Sequence, residues 1–259
     1  MFRFVETFHH FFAFCLSVFW ILLVKHQELA KLISGKNKNN DEFNYSSFPL
    51  HRKRTDWLKF ELFKKWTKFN YNFSCSGLEN IDFNENYIFT PNHESHFDSM
   101  WMMAFFPKKM QVRMCSMAAD YLFRKSIYKY GVRIMGGVPV HRNGNTSIAM
   151  KRIYDLIAFE NRSLMIHPEG TRSRNGQLGE FKIGAAELSI KTKIKIIPVG
   201  INGARDIFPP DKKFPKLRTI GEKKRLHFAF GTPLDPLNYS NARELTREIK
   251  KEIIKLKNI

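Results

Sequence analysis

The chain has only three cysteines, Cys15, Cys75 and Cys115, an odd number at wide intervals. Neither a disulfide framework nor a zinc-binding spacing can be read from them, and they fit a reducing compartment. Acidic residues are also scarce: 24 Asp and Glu stand against 43 Lys and Arg, a formal charge of +19. So basic a surface attracts anions such as nucleic acid, acidic lipid headgroups or an acidic carrier protein, and charge alone does not choose among them. No internal repeat is visible. The apolar stretch at residues 11–24 is short for a membrane span: as a helix it reaches roughly 20 Å, against ~30 Å of hydrocarbon.

What is present is enough for one sizeable α/β domain plus an appendage: 259 residues, 43% of them hydrophobic. Phe is abundant, with 25 copies, many in the first seventy residues. Residues 1–30 read as a membrane anchor, either a short tilted span or a half-inserted helix. A signal peptide and a buried soluble helix are the alternatives. No small-x-small cleavage site follows, and Glu6 does not suit a signal peptide's basic start. Residues 31–54, polar and rich in Asn and Lys, read as a linker. Residues 55–70 form an amphipathic helix with Leu58, Leu62, Phe63, Trp66 and Phe69 on one face and Glu61, Lys64, Lys65 and Lys68 on the other. Such a helix either packs on its own core or lies in a membrane interface with its cations among anionic headgroups; the apolar N-terminus favours the interface.

From residue 71 to 259 short strands and helices alternate. Strands are predicted at 87–90, 112–117, 138–141, 164–166, 194–199 and 226–230. Helices are predicted at 99–106, 121–130 (stopped by Gly131), 146–159 and 242–256. Ile148, Ile153, Leu156 and Ile157 are candidate core in the third helix, and Leu245, Ile249, Ile253 and Leu256 in the last. The pattern predicts an α/β fold, a mixed β-sheet flanked by helices, preceded by the membrane-binding helical segment.

Two segments can carry chemistry. In Asn92-His93-Glu94-Ser95-His96-Phe97-Asp98 a histidine can take a hydroxyl proton while a carboxylate fixes its tautomer. Residues five apart do not share a helix face, so the pair needs a turn, with a helix starting near Ser95. Ser95 and Asp98 can instead form a capping box, and His93, His96 and Asp98, with Glu94, can be read as metal ligands. In His167-Pro168-Glu169-Gly170-Thr171-Arg172-Ser173 the glycine permits close backbone approach, and Arg172 offers a planar fork for phosphate; a solvated turn is the plain alternative. Arg142, after Gly136-Gly137-Val138-Pro139-Val140-His141, is a second phosphate candidate, and Lys182 a weaker anion ligand.

These blocks, together with Ile197-Pro198-Val199, resemble the four ordered motifs of the glycerolipid acyltransferases with the H-x-x-x-x-D signature, over about residues 70–230. The nearest subgroup is the 1-acylglycerol-3-phosphate acyltransferases. The resemblance implies His93 as base and Asp98 as its orienting partner. Glu169, Gly170, Thr171 and Arg172 would form the acceptor headgroup site, with Arg142 and Lys182 assisting. It implies acyl transfer from acyl-CoA or acyl-ACP to lysophosphatidic acid, giving phosphatidic acid, with no metal or other cofactor and no acyl-enzyme. The alternative acceptor is another lysophospholipid or a lyso-aminolipid. The expected setting is the cell inner membrane or another bilayer, with the catalytic domain on the cytoplasmic face; partners are membrane lipid and the thioester carrier, not nucleic acid. This chain departs from the usual motifs at Pro139, where the family has Phe, at His141, where it has an acid, and at His167, where it has an aromatic. A basic nucleic-acid-binding module and a membrane-bound interaction protein lacking activity are the readings from other classes.

Overall fold

The strand Ile88–Pro91 (β2) is buried at every residue, as expected of a strand in a sheet covered on both faces. The computed structural model describes residues 43–50, 56–124, 126–141, 146–212, 214–218 and 222–258. The expected anchor, most of the linker and Arg142 lie outside these. The other strands are Asn72–Ser76 (β1), Met114–Ala119 (β3), Gly137–Val140 (β4), Ser163–Met165 (β5), Ile196–Asn202 (β6) and Arg225–Phe230 (β7). They form one sheet in the order β1-β7-β6-β2-β5-β3-β4. Every pairing is parallel except β6 with β7, so the sheet is mixed, as the sequence predicts.

Helices fill both faces: Asp56–Asn70 (α1), Asp98–Met103 (α2), Lys108–Arg113 (α3), Tyr121–Arg124 (α4), Ser126–Ile134 (α5), Ser147–Ala158 (α6), Gly184–Thr192 (α7), Ala204–Ile207 (α8) and Ala242–Lys257 (α9). Strand side chains alternate between the two cores. Phe89, Met165 and Ile197 pack with Phe60 of α1 and Trp101 of α2. Ile88, Leu164 and Ile196 pack with Ile153 of α6, Leu188 of α7 and Ile249 of α9. The N-terminus of α9 is fixed by a reciprocal cap: Asn241 accepts from the Glu244 amide, and Glu244 accepts from that of Ser240.

Several local expectations need correction. The second predicted helix does not stop at Gly131; α5 runs through it, and the break comes at Gly136, whose φ of 64° suits a helix-ending glycine. Val112 belongs to α3, which starts behind Pro107, so the strand begins only at Met114. The helix that follows His93 starts at Asp98 rather than near Ser95. Ile148 points outward, and Ala149 takes its place in the core. In α1 the buried stripe is Asp56, Phe60, Thr67 and Asn70. Asp56 is tied to Arg133 at 2.8 Å, and Leu58 and Leu62 remain 47% and 51% exposed. The helix thus belongs to the domain core on one side and offers apolar side chains on the other. Pro139 sits in edge strand β4, where a missing N–H costs little. No helix among the described residues is long and apolar enough to cross a membrane.

Candidate active site

Strands β2 and β5 are neighbours running in the same direction, with Phe89 opposite Met165. The chain therefore leaves both at the same rim, the carboxyl ends where open α/β sheets place their ligand crevices. His93 stands two residues past β2, and His167 two residues past β5.

Asn92 anchors the first loop. Its side-chain amide donates to the Ile201 carbonyl at 3.2 Å and accepts from the Ile201 N–H at 2.6 Å, so it acts as one more rung of the sheet beside β6. The chain then turns sharply. Asp98, fully buried as the first residue of α2, takes the amide protons of Glu94 and Ser95 on Oδ2 at 2.7 and 2.8 Å. The same oxygen lies 2.9 Å from His93 Nδ1. The two sequence alternatives are thus partly combined: Asp98 holds the turn together, and in doing so meets the histidine. Burial pushes the Asp98 carboxyl up to about 6, with His167 first and then the Ser95 and Glu94 amides pulling it back. At neutral pH it is ionised, so Nδ1–H donates to it and Nε2 is the ring atom able to accept a proton. The His93 side chain is 20% exposed, which gives a substrate access to the ring.

His167 stacks on His93, ring centroids 3.8 Å apart and planes 14° from parallel. Its Nδ1 faces the carbonyls of Pro91 and Asn92 at 3.1 and 3.2 Å, and its Nε2 lies 3.1 Å from Ser99 Oγ. Burial, with His93 alongside, lowers its pKa to about 3.

The third motif is bound to the first. Glu169 accepts the His93 N–H on one carboxylate oxygen and the Gly179 N–H on the other, both at 2.9 Å. Ser173 N–H donates to the His93 carbonyl at 2.8 Å. Glu169, expected at the headgroup, braces two loops around His93 and also lines the neighbouring cavity; burial raises its pKa. Gly170 has a φ of 67°, and a Cβ there would lie 2.9 Å from Lys182 Nζ, so the lysine stem lies over the glycine. Thr171, Arg172 and Lys182 line an open cavity of about 640 Å³ next to the histidine loop. Arg172 packs its guanidinium against the His96 ring, and His96 Nε2 faces the Pro210 carbonyl at 3.3 Å. His96 is thus engaged with these groups rather than with Asp98, and burial followed by Arg172 lowers its pKa. Among the described residues no group of three or more His, Cys, Asp or Glu is placed to hold a metal.

The structure therefore brings His93, Asp98, Glu169, Gly170, Thr171, Arg172 and Lys182 to one rim. Asn92, Ser99 and Lys257 were not singled out as functional residues by the sequence. Lys257, from the last turn of α9, bonds Glu94 and the Gly176 carbonyl (the latter at 3.2 Å), and nothing in a helix pattern announces such a contact.

Comparison with known proteins gives consistent matches. The Acyltransferase family model matches residues 72–202, just over half the chain. A 1-acyl-sn-glycerol-3-phosphate acyltransferase of Streptococcus pneumoniae is 29% identical over 151 residues, 58% of this chain and 51% of that protein. A probable 1-acyl-sn-glycerol-3-phosphate acyltransferase of Mycoplasma pneumoniae is 23% identical over 242 residues, 92% of this chain and 87% of that one. Several curated relatives are matched over only about half their length or less. The crystal structure of the 1-acyl-sn-glycerophosphate acyltransferase PlsC from Thermotoga maritima superposes with a TM-score of 0.62, at 21% identity, covering 80% of this chain and 82% of that one. The fold is shared.

Proposed function

Because the chain belongs to the Acyltransferase family, matched over residues 72–202, we propose that it moves a fatty acyl group from a thioester to the free hydroxyl of lysophosphatidic acid, giving phosphatidic acid. The observation that carries this reading is the His93–Asp98 pair at 2.9 Å beside a cavity lined by Thr171, Arg172 and Lys182. A base for a hydroxyl and cations for a phosphate stand next to each other. Names of the relatives supply the acceptor.

The hydroxyl oxygen of the acceptor attacks the thioester carbonyl while its proton passes to His93 Nε2. Asp98 remains ionised and stabilises the imidazolium through Nδ1–H. Collapse of the tetrahedral intermediate breaks the carbon–sulfur bond, and the imidazolium returns the proton to the departing thiolate. The products are an ester and a free thiol, with no covalent enzyme intermediate. Arg172 and Lys182 would hold the acceptor phosphate, with Arg142 as a further ligand. Coenzyme A or acyl carrier protein would carry the acyl group. A basic surface and the exposed Leu58 and Leu62 of α1 would hold the enzyme on the cytoplasmic face of a bilayer, with residues 1–30 as anchor.

The test is acyl transfer by purified full-length protein in mixed micelles, with both donors and a panel of lysolipids. Turnover on lysophosphatidic acid that disappears in His93→Ala supports acceptor and base together. Turnover only on another lysophospholipid or a lyso-aminolipid would keep the chemistry and replace the acceptor. No transfer with either donor would overturn the reading.

A further inference from the structure

We propose that His167 is a positioning residue for the base: its ring is a fixed platform that holds His93 in the orientation where Nδ1 meets Asp98. The proposal rests on His93 acting as the acyl-transfer base, and it gives a function to a position that no part of the headgroup reading explains.

Three observations support it. The rings are nearly parallel at 3.8 Å. Adjacent residues at the start of α2 each hold one of them: Asp98 takes His93 Nδ1 at 2.9 Å, and Ser99 meets His167 Nε2 at 3.1 Å. The backbone in front of His93 closes the arrangement, since the Pro91 and Asn92 carbonyls accept from His167 Nδ1–H. With Nδ1 donating to carbonyls and Nε2 accepting from Ser99, both ring nitrogens are used, and the tautomer is set. The ionisable groups acting on His167 are His93 and Asp98. A ring fixed on three sides cannot rotate, and a flat fixed ring limits the tilt of the ring lying on it. Its neutrality also matters: a charged neighbour at this distance would oppose the imidazolium that His93 becomes on taking the substrate proton.

The position is therefore not a wall of the acceptor site. A ring there serves whether or not it bears nitrogen, provided that it is flat and uncharged, so Phe is the conservative variant and Ala the disruptive one. The experiment compares wild type, His167→Ala and His167→Phe as full-length protein, by steady-state kinetics and by imidazole nitrogen NMR of histidine-labelled samples. His167→Ala should lower kcat by about 10–100-fold, the range a displaced catalytic group produces, with acceptor and donor KM changed little. His167→Phe should recover most of that loss and keep the acid limb of the kcat/KM profile where wild type has it. In the spectra His167 should remain a neutral Nδ1–H tautomer from pH 5 to pH 8, and His93 should keep one defined tautomer in wild type and His167→Phe but not in His167→Ala.

An unchanged kcat in His167→Ala would overturn the proposal. So would a His167→Phe variant as slow as His167→Ala with the His93 tautomer intact, because the imidazole itself would then be doing chemistry. A raised acceptor KM with kcat retained would make the residue a specificity determinant instead. If wild type transferred no acyl group to any lysolipid, the acyl-transfer reading would fail; the spectra would still show whether the His93 tautomer depends on the neighbouring ring.

Discussion

Lys257 and Glu94 form an ion pair across 163 residues of sequence, joining the last turn of α9 to the loop that carries His93. The pair is little exposed, 18% on the lysine and 7% on the glutamate. Leu256 beside it packs so tightly on β6 that a Cβ at Gly200 would come within 2.6 Å of it, and Asn202 donates to the Leu256 carbonyl at 3.2 Å. The end of α9 is thus part of the wall behind His93.

Removing one partner leaves the other poorly solvated. Lys257→Ala should cost about 2–3 kcal/mol, somewhat below a fully buried pair because the lysine is partly solvated. Denaturant unfolding measures this. Lys257→Met combined with Glu94→Gln should recover part of the loss, and a strictly additive double variant would show that the two groups do not interact.

Asp98→Asn should keep the turn and lose the tautomer. An amide can still accept the Glu94 and Ser95 N–H groups but cannot stabilise the imidazolium. A fall in kcat of about 10³–10⁴-fold is expected, as when a base loses its orienting carboxylate. His93→Ala should remove turnover while circular dichroism and Tm stay near wild type. Substantial turnover in either variant would remove the base from the mechanism.

Arg172→Ala should raise KM for the acceptor and leave KM for the thioester unchanged. Loss of one charge-assisted contact costs roughly 1.5–3 kcal/mol, or about 10–150-fold. A selective effect on the donor would mean that the cavity binds the thioester carrier instead.

Protonation gives a fourth expectation. The folded Asp98 pKa, about 6, lies above its ordinary 3.8, so its contribution to stability is present below pH 3.8 and is lost as pH rises through about 6. The folded His167 pKa, about 3, lies below its ordinary 6.5, so its contribution is present above pH 6.5 and is lost as pH falls towards about 3. Between pH 4 and pH 6, roughly, the two oppose each other. His167→Phe removes the acid-sensitive one. Its stability should therefore fall less than wild type between pH 6.5 and pH 4, by up to about 1 kcal/mol per pH unit. The lowered His96 and His227 are common to both proteins and cancel in the comparison. Equal Tm profiles for the two proteins would count against a neutral His167.

Leu58→Glu with Leu62→Glu should weaken binding to anionic vesicles without changing Tm, since both side chains are exposed. Deleting residues 1–30 should weaken it further. Vesicle flotation distinguishes the two; unchanged binding in both would place the attachment elsewhere.

Much of this was legible in the sequence because it follows simple periods. The α/β alternation, the closing helix with Leu245, Ile249 and Ile253, and the turn between His93 and Asp98 all follow from spacing. Other features depend on long-range contacts. Strand β1, Asn-Phe-Ser-Cys-Ser, is too polar to announce itself and exists because β7 pairs with it. The exposed side of α1 could not be told from its buried side, because Phe60 and Thr67 are buried while Leu58 is not. The resemblance placed Glu169 at the headgroup, and it does line the cavity, but its bonds to the backbone of His93 and Gly179 could not be read from the sequence. His167 was visible as a departure from the motif, but its stacking on His93 follows only from β2 and β5 lying side by side.

That side-by-side run also defines an opposite rim, one strand length away. There Asn86 meets Asn161 as β2 and β5 begin, and Lys195 pairs with Glu85 at 3.9 Å. With β2 four residues long, the two ends of the strand are about 13 Å apart at strand spacing, and the histidines stand beyond the far end. A fluorophore or affinity handle attached at residues 160–162 or 193–195 would sit across the sheet from the reacting groups. The protein could then be immobilised or tracked on a lipid surface from the rim away from His93 and His167.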